Sequence, residues 1–455
     1  MRASPAAFCV CSRYTPCMRF SALRSQHRIL GGAAVLAVTQ FTASFAGLIR
    51  DNLLNRTFPG LAVVDVYVAA FRPSDLLFQV TIMAGFSVAL VPLLARYEAA
   101  QNRSAMSALL NGVVTVAAIL FGVLALLLAA VFPWVAPAFT QFEGESLALY
   151  TTFARIALLT NFLFVFGNAF GQYLNTIQRF WIYGLTPVVF TLGTIAGTLW
   201  LTPFVGPYGP ILGTLAGALL YTLIRLLAIV RAGYRFALTW WHPDLTEMGL
   251  LMLPRMLALG ALQVELLVFD RIASGLSVGS IAVNAYARNF QSVVVGVTGM
   301  ALALSLFSPL SQSAARGEWG RYRQYLKRGV VWMLLLTIPG AILLVLLTPV
   351  AAWLIHLKTL FVPVFFTCLA LYALSIPFES LNHLFTRAYF ATKHTTIPAI
   401  LTVFNGVIAI ALSWSLAPKL GVFSLALGYC VGHIVEMTGL LLLFPREVQS
   451  ARGAL

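Results

Sequence analysis

The chain has 455 residues, 60% of them hydrophobic and only 9% charged, with a mean hydropathy of +0.89; a soluble domain carries about 25% charged residues, so a soluble globular protein is excluded. The net charge of +15 raises nucleic acid as a partner, but the basic residues fall in alternate loops between apolar windows. That placement marks one side of a membrane protein, and no nucleic-acid role follows from it.

A membrane helix needs about 20 apolar residues. Windows of that kind run at 29–49, 62–95, 107–132, 151–174, 185–202, 210–230, 249–272, 280–310, 329–355, 361–386, 396–416 and 421–444. They predict an all-α polytopic protein of about twelve transmembrane helices in two pseudo-symmetric six-helix lobes. Unbroken apolar runs such as VVTVAAILFGVLALLLAAVF exclude a β-barrel, whose strands alternate apolar and polar residues.

Residues 1–28 hold Arg2, Arg13, Arg19, Arg24 and Arg28 without an acid. With no apolar core long enough for a signal peptide, they read as a disordered basic tail. The N-terminal lobe is expected over 29–232, a cytoplasmic linker over 233–248, the C-terminal lobe over 249–445 and a second tail over 446–455. Loops with Arg96 and Arg103, Arg179, Arg231 and Arg235, Arg316 to Arg328, and Arg387 with Lys393 alternate with loops poor in base. Both termini are therefore expected in the cytoplasm. In the linker, Trp240 and Trp241 read as an interfacial anchor. Cys9, Cys11, Cys17, Cys368 and Cys430 have no spacing of a zinc or disulfide framework.

Span 1 ends on Arg50–Asp51. Span 2 carries Asp65, Arg72, Asp75 and Gln79, which at 100° per residue fall at about 0°, −20°, −80° and −40° on a helical wheel. A charge facing lipid at mid-bilayer costs at least about 2.5 kcal/mol, so this face lines protein or water. Pro73 frees a backbone carbonyl there and kinks the helix. The alternative is that Arg72 and Asp75, three residues apart, neutralise each other.

Other charges at membrane depth are Arg155, Arg255, Glu265, Arg288, Glu379 with His383, and Glu436. Arg72, Arg155, Arg255 and Arg288 suit an anionic cargo, since guanidinium matches phosphate oxygens in a bidentate fork. Arg255 and Glu436 lie nearer helix ends, where snorkelling to the interface is the simpler reading. Glu265 and Asn405 are candidates for coupling an ion through oxygen ligands, against the alternative of an internal hydrogen bond.

The halves echo each other. Pro92 follows Asp51 by 41 residues and Pro187 follows by 95 more; in the second half Pro309 follows Asp270 by 39 and Pro398 by 89 more. Six spans is an even number, so the halves share one orientation about an axis along the membrane normal, a transporter plan. No P-loop, GxSxG, HExxH or CxxC motif occurs, so neither an enzyme nor ATP-driven transport is expected.

Several segments in order, GLIRDNLLNRTF, DVYVAAFRPSDLLFQVTIMAGFSVALVPLLARYEA, GQYLNTIQRFWIYGLTPVVF, FDRIASGLSVGSIAVNAYARNFQSVVVGV and TRAYFATKHTTIPAIL, resemble the MurJ/MviN family of lipid II flippases within the multidrug/oligosaccharidyl-lipid/polysaccharide exporter superfamily. The resemblance implies an inner-membrane carrier that moves a polyprenyl-pyrophosphate-linked glycan outward by alternating access. It implies a cationic cavity for the headgroup and drive from a monovalent cation or the membrane potential, with no other cofactor. Expected partners are the lipid-linked glycan precursor, membrane lipids and peptidoglycan-synthesis proteins. Arg50, Asp65 and Arg288 match family positions, as does Arg72 at a position usually basic. Ser44, Phe78, Met83 and Ala287 stand where the family usually has charges, and the chain stops after span 12, without the family's extra helix pair. An O-antigen or capsule-type flippase, a cation-coupled drug exporter and a scaffold without transport are the alternatives.

Overall fold

The computed structural model describes residues 17–453, with side chains placed from residue 35 to residue 444 except at 36, 37, 87, 88, 254 and 258. Among the described residues the chain forms helical elements and no strand. In order they are α1 (Cys17–Thr57), α2 (62–99, with π-helical turns at Gln79–Met83 and Phe86–Leu90), α3 (Arg103–Phe139), α4 (Gly144–Thr176), α5 (180–205) and α6 (Gly209–Arg231). The second half has α7 (Asp244–Ser274), α8 (280–315, with a π-helical stretch at Val295–Met300), α9 (319–354), α10 (Val362–Ala391), α11 (Thr396–Leu420) and α12 (Phe423–Gly453). Eight helices among the described residues are long and apolar enough to cross a membrane, or nine if the pair Asp244–Leu253 and Arg255–Ser274, bent by 47°, counts as one. The full count of twelve spans remains an expectation.

Helix α1 starts at Cys17, inside the stretch expected to be a disordered tail. No proline or glycine separates Cys17 from the apolar window, and its Leu, Arg and Gln residues favour helix, so the turn propagates backward. Residues 1–16 lie outside the described part of the chain. At the other end α12 likewise runs on to Gly453.

Packing repeats with a period of six helices. In the first half α1 packs on α5, α2 on α4, and α4 on both α3 and α6, with α5 against α6. In the second half α7 packs on α11, α8 on α10, and α10 on both α9 and α12, with α11 against α12. The proline pairs fall on equivalent helices: Pro92 and Pro309 on α2 and α8, Pro187 and Pro398 on α5 and α11.

Helix contact without a hydrophobic drive needs small residues. Gly193 and Gly197 of α5 meet Gly213 and Gly217 of α6 so closely that a Cβ on Gly213 would overlap the α5 backbone. The two lobes meet along α2, α7 and α8. Leu61 (φ 63°) and Gly279 (φ 92°) occupy the same left-handed turn just before α2 and α8. A Cβ at Gly279 would strike Phe361 and Leu61, so the two turns nest together, and this is where the lobes join.

Candidate functional site: a lobe latch and a buried ion cluster

The charged stripe of α2 divides between two lobes. Asp65, 4% exposed, accepts the Gly279 and Ala282 backbone N–H groups at 2.6 and 2.8 Å. These are among the donors that a helix leaves unpaired at its N-terminus, so a side chain of one lobe caps the first turn of α8 in the other. Two turns along α2, Arg72 donates its Nε to Asp270 Oδ2 of α7 at 2.7 Å. Asp75 instead accepts Asn161 Nδ2 of α4 at 2.9 Å. Arg72 and Asp75 thus hydrogen-bond to different helices rather than to each other, as their separation of about 60° on the wheel allows, and Arg72 acts on Asp75 only by its charge. Gln79 is half-buried at the start of the first π-helical stretch.

More contacts close the same end. Asn52 and Asn55 of α1 donate to the Leu354 and Ile355 carbonyls at 2.6 and 2.7 Å, and Tyr286 donates to Asn55 Oδ1 at 2.8 Å. Arg271 reaches the Pro137 carbonyl at 2.5 Å. The lobes are therefore latched where α2 and α8 begin. Away from this end it is α7 and the linker that pack on the first lobe: Asp244 receives Tyr97 and Arg96, and Asn111 donates to the Arg235 carbonyl. Trp240 and Trp241 point outward.

The expected cationic cavity is not free in this state. Arg50 is tied to Asp51 at 2.7 Å, Arg72 to Asp270, and Arg288 Nη2 stands 3.6 Å from Glu265 Oε1. Arg155 is not brought to the lobe junction. It is exposed on α4, with its Nε donating to the Ala129 carbonyl of α3 at 2.9 Å, the carbonyl that Pro133 leaves without a helical donor. Arg255 is exposed.

The second lobe encloses an ion cluster that the sequence only partly assembled. Arg288 lies over the Tyr429 ring at 4.9 Å. Glu379 accepts Gln291 and Tyr429 at 2.6 and 2.9 Å. Glu436, read from sequence as a snorkelling residue, is instead buried and accepts Thr402, Asn405 and Asn382 at 2.7, 2.7 and 3.0 Å, with His433 at 3.5 Å. Asn405 thus makes the internal hydrogen bond. Glu265 Oε1 and Arg288 Nη1 are buried and, among the described residues, have no hydrogen-bond partner, which leaves their 3.6 Å pairing loose. Among the described residues no group of three or more His, Cys, Asp or Glu side chains could hold a metal ion.

Sequence reasoning missed Arg225 of α6, the largest fully buried side chain, 2% exposed. Among the described residues no carboxylate pairs with it. It donates instead to Thr186 Oγ1 at 2.8 Å, to the Gly167 and Tyr183 carbonyls at 2.9 Å each, and to the Tyr221 hydroxyl. Pro187 sits four residues after Tyr183 and frees that carbonyl, the signal that pointed to a donor nearby. Replacing Arg225 by Met will leave these acceptors dry and lower the stability of the first lobe by about 2–4 kcal/mol, read as an earlier midpoint in thermal unfolding in detergent.

The family model described as "Lipid II flippase MurJ" matches residues 54–454. A protein named lipid II flippase MurJ from Burkholderia cenocepacia is 24% identical over 428 residues, covering 90% of this chain and 83% of its own. The solved structure of a lipid II flippase MurJ in an inward closed conformation superposes with a TM-score of 0.77 at 21% identity, over 90% of this chain and 87% of that one. An inward-facing multidrug resistance MATE family transporter of the MOP superfamily gives 0.75 at 16%, over 90% and 95%.

Proposed function

The chain belongs to the lipid II flippase MurJ family, and on that premise we propose that it moves lipid II, the polyprenyl-pyrophosphate-linked precursor of peptidoglycan, from the inner to the outer leaflet of a bacterial inner membrane. Both termini lie in the cytoplasm, and the latched end faces outward. The observation that carries this reading is the one-sided junction: α7 and the linker apart, the polar contacts between lobes gather where α2 and α8 begin. A carrier whose lobes are latched through the helix starts at one end is one limb of an alternating-access cycle.

Arg72 stands at the junction and holds Asp270 with its Nε, leaving both Nη groups for a cargo phosphate. A phosphate that takes Arg72 releases Asp270, and the latch loses an ion pair when cargo arrives. A membrane potential negative inside drives an anionic headgroup outward by about 2.3 kcal/mol per charge per 100 mV, and an ion moving through the second-lobe cluster adds to that. The test is translocation of a fluorescent lipid II analogue in liposomes containing the purified chain. Wild type will move it and Arg72→Ala will not. Movement of an O-antigen-type lipid but not of lipid II would replace the cargo, and equal rates in wild type and Arg72→Ala would remove the reading.

A further inference from the structure

Two acids of α7, five residues apart, have an arginine each in this state. Asp270 has Arg72 from the first lobe at 2.7 Å, and Glu265 has Arg288 from α8 at 3.6 Å. The second pair is the weaker one, since no hydrogen bond links it and one buried polar atom on each side lacks a partner. Arg288 also interacts electrostatically with Asp270. The acids are separated by about 7.5 Å of helix rise and about 140° around α7, and Arg288, coming from the neighbouring α8, acts on both.

If the lobes part at the latch, Asp270, 3% exposed, loses Arg72. A buried carboxylate without a partner is strongly destabilised, and Arg288 is the other cation that acts on Asp270. Its transfer strands Glu265, which is 6% exposed and is otherwise faced by Glu379 from α10 and by His433 and Glu436 from α12. Helix α11 presents Gly406 there, 3.8 Å from where its Cβ would sit to Glu265 Oε2, beside Asn405; neither titrates.

We propose that Arg288 is shared between Glu265 and Asp270, so that opening the latch passes it to Asp270 and Glu265 takes up one proton from the opened side. The inference rests on the alternating-access reading above and names its coupling ion. An O–H bond forms on Glu265 as the lobes part; on closing, Arg72 reclaims Asp270, Arg288 returns, and the proton leaves toward the other side. One proton enters for each cargo exported. A proton suits the place better than a metal cation because, among the described residues, no group of three or more His, Cys, Asp or Glu side chains could hold a metal ion.

The open state then holds one more proton than the closed state. By linkage, the ratio of open to closed molecules rises as pH falls, by up to tenfold per unit. Spin labels at Thr57→Cys and Lys358→Cys, both exposed at the latched end, report that ratio by pulsed electron resonance in nanodiscs between pH 5 and 8. Wild type will shift from a short to a long distance as pH falls. Glu265→Gln will favour the long distance at every pH, and Asp270→Asn will also be flat, since Arg288 then has no second acid to move to. Retention of the wild-type slope by Glu265→Gln, a flat wild-type profile, or a shift driven by sodium at fixed pH would each overturn the proposal. The assay contains no cargo. A pH-dependent latch in a chain that moves no lipid II analogue would therefore sustain the coupling and remove only the cargo assignment.

Discussion

Asp65→Ala will open the latched end and stop transport. The carboxylate receives two backbone N–H groups from the first turn of α8, and it is their partner across the lobes. Removing it leaves both donors buried in the closed state, at about 1–3 kcal/mol for each unsatisfied group, and removes a negative charge from the positive end of a helix, a further 0.3–1 kcal/mol or so. In the open state water satisfies the same groups, so the cost falls on the closed state alone. A change of about 3 kcal/mol corresponds to more than a hundredfold in the ratio of open to closed molecules. The spin-label pair at Thr57 and Lys358 reads that directly. Asp65→Asn will be nearly as severe, because an amide has one acceptor oxygen and no charge. A closed population unchanged in Asp65→Ala would show that the apolar nesting of Leu61 and Phe361 around Gly279 holds the latch by itself.

The reach of the sequence can be traced through these residues. The helical wheel put Asp65, Arg72 and Gln79 on one face of span 2 and required that face to avoid lipid. It had no means of showing that the face meets Gly279 and Asp270, about 200 positions away in the chain. Asp270 was visible only as the second-half counterpart of Asp51 in the proline spacing. The proline spacing was informative because the breaks fall on equivalent helices of the two lobes, and the packing scheme repeats with them. Where sequence failed, the cause was local. Glu436 lies toward the end of span 12, where an apolar window says only that a charge is near water, whereas Thr402, Asn405 and Asn382 from two other helices make its surroundings polar. Arg155 was grouped with the other arginines by charge, yet Pro133 had already defined a separate use for it on α3. Arg225 sits in LLYTLIRLLAIVR, near enough to Arg231 to read as part of a basic helix end.

The pair Arg72–Asp270 allows its two proposed duties to be separated. Arg72→Ala leaves Asp270 buried without its partner, and breaking one side of such a pair costs about 3–5 kcal/mol; the latch will open, and flipping of the lipid II analogue will cease. That result alone does not distinguish a lost gate from a lost phosphate ligand. The double variant Arg72→Met with Asp270→Leu does, because an apolar pair of similar volume is often neutral or stabilising in place of a buried ion pair. Its latch will close again, to within about 1–2 kcal/mol of wild type by the spin-label ratio. Transport will not return, since no guanidinium remains in span 2 to take the pyrophosphate, and the latch will also lose its dependence on pH because Arg288 has no second acid to visit. If the double variant regains both closure and flipping, Arg72 is a gate residue and the cargo phosphate must be bound elsewhere, with Arg50, Arg271 and Arg288 among the cations left near the junction.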